Sequence, residues 1–223
     1  MGASDFSKLP HIGESLKRKE DYRFLTGAGQ YTDDVVLAAQ SHAVFVRSPH
    51  AHAAINSINT SAAKAAPGVL GVFVGADVAA DNINGLPCGW LITSTNGEPM
   101  KEPPHPILAQ GKVRYVGDHV AMVVAETLEQ AKNAAELVEV EYDVLPAVVD
   151  VRHAKKATAI HAEAPDNHCY NWAIGDKAAV DAAFAGAAHV TKLDLINNRL
   201  APNPMEPRAA IGSYNRASDE YTL

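Results

Sequence analysis

Ten histidines stand in this sequence, and two of them, His50 and His52, are spaced H-x-H. On a strand that spacing turns both rings to one face, where they could serve a metal. No third ligand follows at a recognisable spacing, although His153, His161 and His168 cluster in a later, irregular segment and could in principle supply one. The expectation is therefore no metal, with these imidazoles hydrogen-bonded at a surface or interface. Gly27-Ala28-Gly29 opens like a dinucleotide fingerprint, but Thr32 stands where the third glycine is needed, and the segment neither follows a strand nor begins a helix. Asp33-Asp34 and the Glu139/Glu141 pair are paired acids of a kind that glycosidases use, yet adjacent or alternating acids on a wet strand face are ordinarily solvated charge. Cys88, in GLPCGW, and Cys169 lack a neighbouring His and acid, so both are read as inert thiols. No residue pattern makes a convincing nucleophile.

The elements that must carry these residues follow from periodicity. From Ser41 onward, HAVFVRS predicts a strand, Ser48-Pro49 a turn, AHAAINSI a second strand and SAAKAA a short helix capped by Thr60. Pro67-Gly68 ends that helix, and VLGVFVG predicts an apolar strand buried on both faces. After a loop from Asp81 to Pro106 the order recurs as KVRYVG, HVAMVVA, a helix starting at Thr127, and VEVEYDV. Thr127 and Gln130 have capping-box spacing, and Leu128, Ala131, Ala135 and Val138 fall on one helical face. Val140, Tyr142 and Val144 alternate with Glu139, Glu141 and Asp143, which predicts one buried and one wet strand face. Two β-β-α-β units, each with its own strands, predict an α+β domain over roughly Gly27 to Asp150 rather than a doubly wound sheet.

The flanks differ. Residues Met1 to Gln30 show no sustained period and suggest an extended arm. Beyond Asp150 the chain is irregular and His-rich as far as Trp172, followed by a helix at Lys177 to Ala185 capped by Asp176. Strand-like HVTKLDLINN and a Pro-rich turn come next, and a turn at Asn215 to Asp219 launches a last run, EYTL. The chain stops inside what reads as a starting strand, so the expectation is that the polypeptide continues past Leu223.

Bulk properties exclude several classes. The length and 47% hydrophobic residues suit one large domain or two small ones. Nineteen Lys and Arg against 26 Asp and Glu give a formal charge of −7, with no basic stripe to follow a phosphate backbone, so no nucleic-acid partner is expected. Two cysteines far apart suit a reducing compartment. No signal-peptide core and no membrane-length apolar run are present, and a cytoplasmic location is expected.

Four stretches, in order, carry a resemblance: IGESLKRKEDYRFLTGAGQYTDD; HAVFVRSPHAHAAINSINTSAAKAAPGVLGVFVGAD; VRYVGDHVAMVVAETLEQAKNAAELVEVEYDVLPAVVD; and NRLAPNPMEPRAAIGSY. Together they resemble the N-terminal part of the molybdopterin-binding large subunit of the xanthine dehydrogenase, aldehyde oxidase and carbon-monoxide dehydrogenase family. His119 stands where many relatives carry a proline, a modest departure.

The resemblance implies an extended arm over 1–26, an α/β-hammerhead domain over 27–150, and, over 151–223, a linker with the incomplete start of the first molybdopterin-binding α+β domain. It further implies a molybdenum hydroxylase that oxidises an aldehyde, an N-heterocycle or carbon monoxide with water as oxygen donor. Its cofactor would be a molybdopterin (cytosine) dinucleotide with Mo, and partner subunits would carry [2Fe-2S] clusters and FAD. In that family the glycine-rich pterin loops, the Gln beside the metal's apical oxygen and the base Glu lie further along the polypeptide, with no counterpart among residues 1–223. The chain is therefore expected to act as scaffold, inactive and cofactor-free alone. Glu206, in PMEPR, is the single carboxylate in a family block near the expected cofactor side and the one cofactor-binding candidate, set against an ion pair with Arg208 or a nearby arginine. The rival readings are a stand-alone binding or assembly module without catalysis, and a small metal-dependent hydrolase built on the His-rich segment.

Overall fold

The computed structural model describes residues 13–197, 200, 203–205 and 207–223. The chain forms two compact units, one of Ala39–Asp194 and one combining Met1–Ala38 with Leu195–Leu223.

In the larger unit, β1 (His42–Arg47), β2 (Ala53–Asn59), α2 (Ser61–Lys64) and β3 (Val69–Val74) form the first β-β-α-β run. After α3 (Gly75–Ala80), β4 (Lys112–Val113), β5 (His119–Ala125), α4 (Leu128–Ala135) and β6 (Glu139–Val144) form the second. The expected α+β class and the repeated units are present. The strands, however, do not stay with their own unit. They interleave into two antiparallel three-stranded sheets, β1-β5-β3 and β4-β2-β6. The middle strand of each sheet comes from one run and its two flanks from the other. Neither run can close a sheet alone, so the duplicated pattern makes one unit instead of two.

This exchange corrects the burial expected for VLGVFVG. It is an edge strand with Leu70 61% and Phe73 42% exposed. The strand buried on both faces is β5, because it lies in the middle. Val120 belongs to a core with Ala53, Ala109 and Val113, while Val123 belongs to a second core with Ala63, Val72 and Ala134. Residues three apart on a strand face opposite ways, so β5 sits between the two cores. The first run's central strand, β2, is wetter, because Ser57 and Asn59 face solvent.

Helix α4 covers the β1-β5-β3 sheet. Its cap is as read from the sequence: Thr127 Oγ1 accepts from Gln130 N at 3.2 Å, and Gln130 Oε1 accepts from Thr127 N at 3.0 Å. The buried residues are Ala131 and Ala134, with Ala135 and Val138 packed beside them, whereas Leu128 is 43% exposed. A first-turn side chain leans back beyond the helix start and clears the sheet. Strand β6 keeps Val140 and Tyr142 against the core, but its last residue, Val144, is exposed because the pairing ends there.

KVRYVG shortens to Lys112–Val113. The backbone turns away at Arg114: Asp118 Oδ2 accepts from Arg114 N at 3.0 Å and Gly117 adopts φ +88°. Ser48, 2% exposed, pins that turn to the β1–β2 connection, since Gly117 N donates to Ser48 O and Ser48 N to Asp118 O, both at 2.8 Å. Helix α3, which the sequence pattern did not reveal, is capped by Asp77, whose carboxylate accepts from Val74 N at 2.8 Å. Helix α5 (Lys177–Gly186) starts at Asp176, whose carboxylate accepts from Ala179 N at 3.0 Å. HVTKLDLINN is not a strand over its described residues 189–197. Leu193, Leu195 and Ile196 are more than three-quarters exposed, and no strand among the described residues pairs with them; an unpaired strand is not stable in water.

In the smaller unit, part of the expected arm is helical: α1 (Asp21–Leu25) begins where Arg18 N and Nε donate to the Asp21 carboxylate. At the other end, β7 (Ser213–Asn215) and β8 (Glu220–Thr222) form a hairpin across the predicted turn, with Tyr214 stacked on Tyr221 at 4.6 Å.

Candidate functional site

The β1–β2 connection and the β4–β5 turn bring several polar side chains together beside the loop that precedes β4. Pro103, His105, Arg114, Tyr115, Asp118 and His161 border a cavity of about 280 Å3 within the larger unit. Arg114 points its guanidinium toward the His-rich segment, where Nε donates to Ile160 O at a long 3.4 Å. Among the described residues no carboxylate forms an ion pair with Arg114. His105 meets Tyr115 edge-on at 6.3 Å. Burial pushes the Tyr115 hydroxyl up, and the adjacent Asp118 carboxylate pushes it further. His161 is held below the usual imidazole range by burial and then by the Arg114 charge, against the pull of Glu163. Its Nδ1 is buried with no hydrogen-bond partner among the described residues.

Two more imidazoles, outside the cavity lining, have a buried nitrogen with no hydrogen-bond partner among the described residues. His52 is 3% exposed, and its Nδ1 lies 2.8 Å from Pro146 O. A carbonyl only accepts, so Nδ1 carries a proton, and Nε2 is buried with no hydrogen-bond partner among the described residues. His119 begins β5, a position that a proline can also take, and stacks on Phe45 at 4.5 Å. Burial and the Arg47 charge lower its pKa.

The residues singled out in the sequence mostly do not converge. His50 and His52 lie in the bend before β2, not on it; the His50 ring packs edge-on against Tyr142 at 5.0 Å while His52 turns to Pro146. His153 Nδ1 lies 3.3 Å from an Asp150 carboxylate oxygen, and the His168 amide donates to Asp166, so His161 alone of that trio reaches the cavity. Among the described residues no group of three or more His, Cys, Asp or Glu is placed to hold a metal ion. Gly27-Ala28-Gly29 ends a helix instead of opening one: Gly27 N donates to Phe24 O and Ala28 N to Arg23 O, a Schellman motif. Asp34 caps a short 3-10 turn through Tyr31 N, whereas Glu139 and Glu141 accept across the sheet from Asn59 and Ser57. These two glutamates are cross-strand partners rather than simply solvated. Cys88 is exposed, and its thiol donates to Trp90 O; Cys169 is half-buried and also free. Glu206 lies outside the described residues. Sequence reasoning missed Arg114, His105, Tyr115 and Asp118, which are brought together by a turn and a loop and share no spacing.

The hammerhead-domain model described as "Aldehyde oxidase and xanthine dehydrogenase, a/b hammerhead domain" matches residues 26–146. The chain belongs to this family. A second model, described as "Molybdopterin cofactor-binding domain", matches residues 160–223. The chain is similar to the carbon monoxide dehydrogenase large chain of Afipia carboxidovorans, 39% identical over 97% of this chain and 27% of that protein. It is also similar to the nicotine 6-hydroxylase large subunit of Paenarthrobacter nicotinovorans, 38% identical over 95% of this chain and 25% of that protein. Among solved structures, reconstituted CO dehydrogenase from Oligotropha carboxidovorans superposes with a TM-score of 0.62 at 38% identity, over 80% of this chain and 22% of that one. The chain thus spans about a quarter of the length of the curated relatives it matches.

A pterin dinucleotide needs an enclosing shell of donors. The described residues that match the cofactor-domain model do not form one. They are mostly exposed, and His161 is the one described residue among them that borders the cavity above. No helix among the described residues is long and apolar enough to cross a membrane.

Proposed function

We propose that this chain is the N-terminal part of the molybdopterin-binding large subunit of a cytoplasmic molybdenum hydroxylase and serves there as scaffold. Residues 1–26 act as an arm, 27–150 as the hammerhead domain, and 151–223 as a linker and the beginning of the first cofactor domain. The single observation that carries this proposal is the order of two family matches, hammerhead over 26–146 and cofactor domain over 160–223, on a chain a quarter the length of its relatives.

The complete subunit oxidises an aldehyde, an N-heterocycle or carbon monoxide with water as oxygen donor. Its molybdenum cofactor, a molybdopterin (cytosine) dinucleotide, supplies the oxygen-transfer chemistry when bound by the later domains. Subunits carrying [2Fe-2S] clusters and FAD are its partners. Within that assembly the interleaved sheets give the remaining domains a rigid surface to pack on. Glu206 stands as a cofactor-side candidate, to be tested by Glu206→Gln in the complete subunit.

The test is complementation. Co-expressed with the remainder of a large subunit and the two partner subunits, the chain should co-purify and support dye reduction by an aldehyde, a purine or carbon monoxide. Absence of a stable complex with any such remainder would instead favour a stand-alone binding module.

A further inference from the structure

We infer that the cavity bordered by Arg114, His105, Tyr115 and His161 is a binding site for a small carboxylate with a compact, planar apolar body. This inference is independent of the role proposed for the whole subunit.

The polar groups around the cavity divide into those already engaged and those still available. Asp118, 8% exposed, is engaged: its carboxylate accepts from the Arg114 amide and interacts with the Tyr115 hydroxyl. Arg114 is available. The only hydrogen bond of its guanidinium among the described residues is the long one from Nε to Ile160 O, which leaves both terminal nitrogens free to donate side by side. A half-buried guanidinium without an ion pair among the described residues is a costly arrangement, and a planar carboxylate is the group whose two oxygens match its fork. The His161 ring borders the same cavity, with its Nδ1 buried and without a hydrogen-bond partner among the described residues.

The rest of the lining selects the body of the ligand. Pro103, Pro104, Pro106 and Ala109 are apolar, and His105 and Tyr115 stand nearly perpendicular, at 85°, so a flat ring can lie against one and meet the edge of the other. A volume of about 280 Å3 admits one ring with a short substituent and not a nucleotide. Proton linkage follows. The charges facing His161 are Arg114 and Glu163, with the imidazoles of His52 and His105 nearby. Burial is the first cause that disfavours the imidazolium and the Arg114 charge the second; an anion on Arg114 cancels that second part, so occupation of the site should bring proton uptake at His161.

The experiment uses the purified chain, benzoate as probe, and NMR of the histidine ring C–H signals. Benzoate should shift the His161 signals saturably and move their titration midpoint to higher pH. Arg114→Gln should weaken binding by about tenfold or more, the loss of a charge-assisted fork, and Arg114→Lys by less. Circular dichroism checks that each variant is folded; should Arg114→Gln not fold, Arg114→Lys and the His161 midpoint decide. Unshifted His161 signals at tens of millimolar benzoate would overturn the inference, as would equal binding by the folded Arg114→Gln chain. A carboxylate side chain from elsewhere in the subunit is the other source of the same chemistry. Benzoate binding retained after complementation supports a small-molecule site, and its loss on assembly overturns it.

Discussion

Val123→Ala should be among the most damaging valine-to-alanine changes in the larger unit. Val123 is fully buried at the centre of β5, packed with Ala63, Val72 and Ala134. Removing two methyl groups forfeits ~1.6 kcal/mol at ~0.8 kcal/mol per methylene equivalent. Two of the three buried neighbours are alanines, which have no side chain to swing into the space. A residual void of roughly 40 Å3 adds ~1 kcal/mol at ~24 cal/mol per Å3. The expected loss is therefore about 2.5 kcal/mol, read as a lowered urea midpoint by far-UV circular dichroism at unchanged slope. Leu70→Ala, on the exposed edge strand, should change stability by less than about 0.5 kcal/mol. If the Leu70 variant lost as much as the Val123 variant, β3 and not β5 would be the buried strand and the interleaved topology would be wrong.

Three further outcomes are expected. Thr127→Ala removes the N-cap of α4 and should lower stability by about 1 kcal/mol in the same denaturation assay, while Thr127→Ser should be nearly neutral. Gly85→Ala places a Cβ against the His105 backbone carbonyl; the strained loop should lose about 1–3 kcal/mol, and hydrogen exchange should rise at Leu86 N, which donates to that carbonyl at 2.9 Å. His119 and His161 have folded-state pKa values below their unfolded ones, so the unfolded chain takes up protons first. Stability should hold above pH ~6.5 and fall as pH drops from there toward the lower folded values, and His119→Gln should reduce that slope.

What could be read in the sequence was what depends on local chemistry. Thr127 and Gln130 announce the α4 cap because both partners lie within one turn, and Asp176 announces α5 for the same reason. Strands β1, β2, β3, β5 and β6 follow from their alternation and β-branched content. What escaped depends on pairing at long range. VLGVFVG and HVAMVVA are equally apolar, and only the exchange of strands between the two repeats decides that the second lies in the middle. HVTKLDLINN has a strand-like composition, but its described residues have no partner strand among the described residues. The cavity was illegible for the same reason: Arg114 and Asp118 are joined by a turn that interrupts an apparent strand, while His105 and His161 arrive from loops on either side. Of the sequence's candidates His161 alone lies there, and His52, expected to share a face with His50, turns instead to Pro146.

The proposal that this chain supports a cofactor it does not itself enclose is tested most directly by metal analysis. Molybdenum should be measured by mass spectrometry in the purified 223-residue chain and in the same chain assembled with the remainder of a large subunit. The account predicts molybdenum near one per chain in the assembly and none above buffer in the isolated chain; stoichiometric molybdenum in the isolated chain would contradict it.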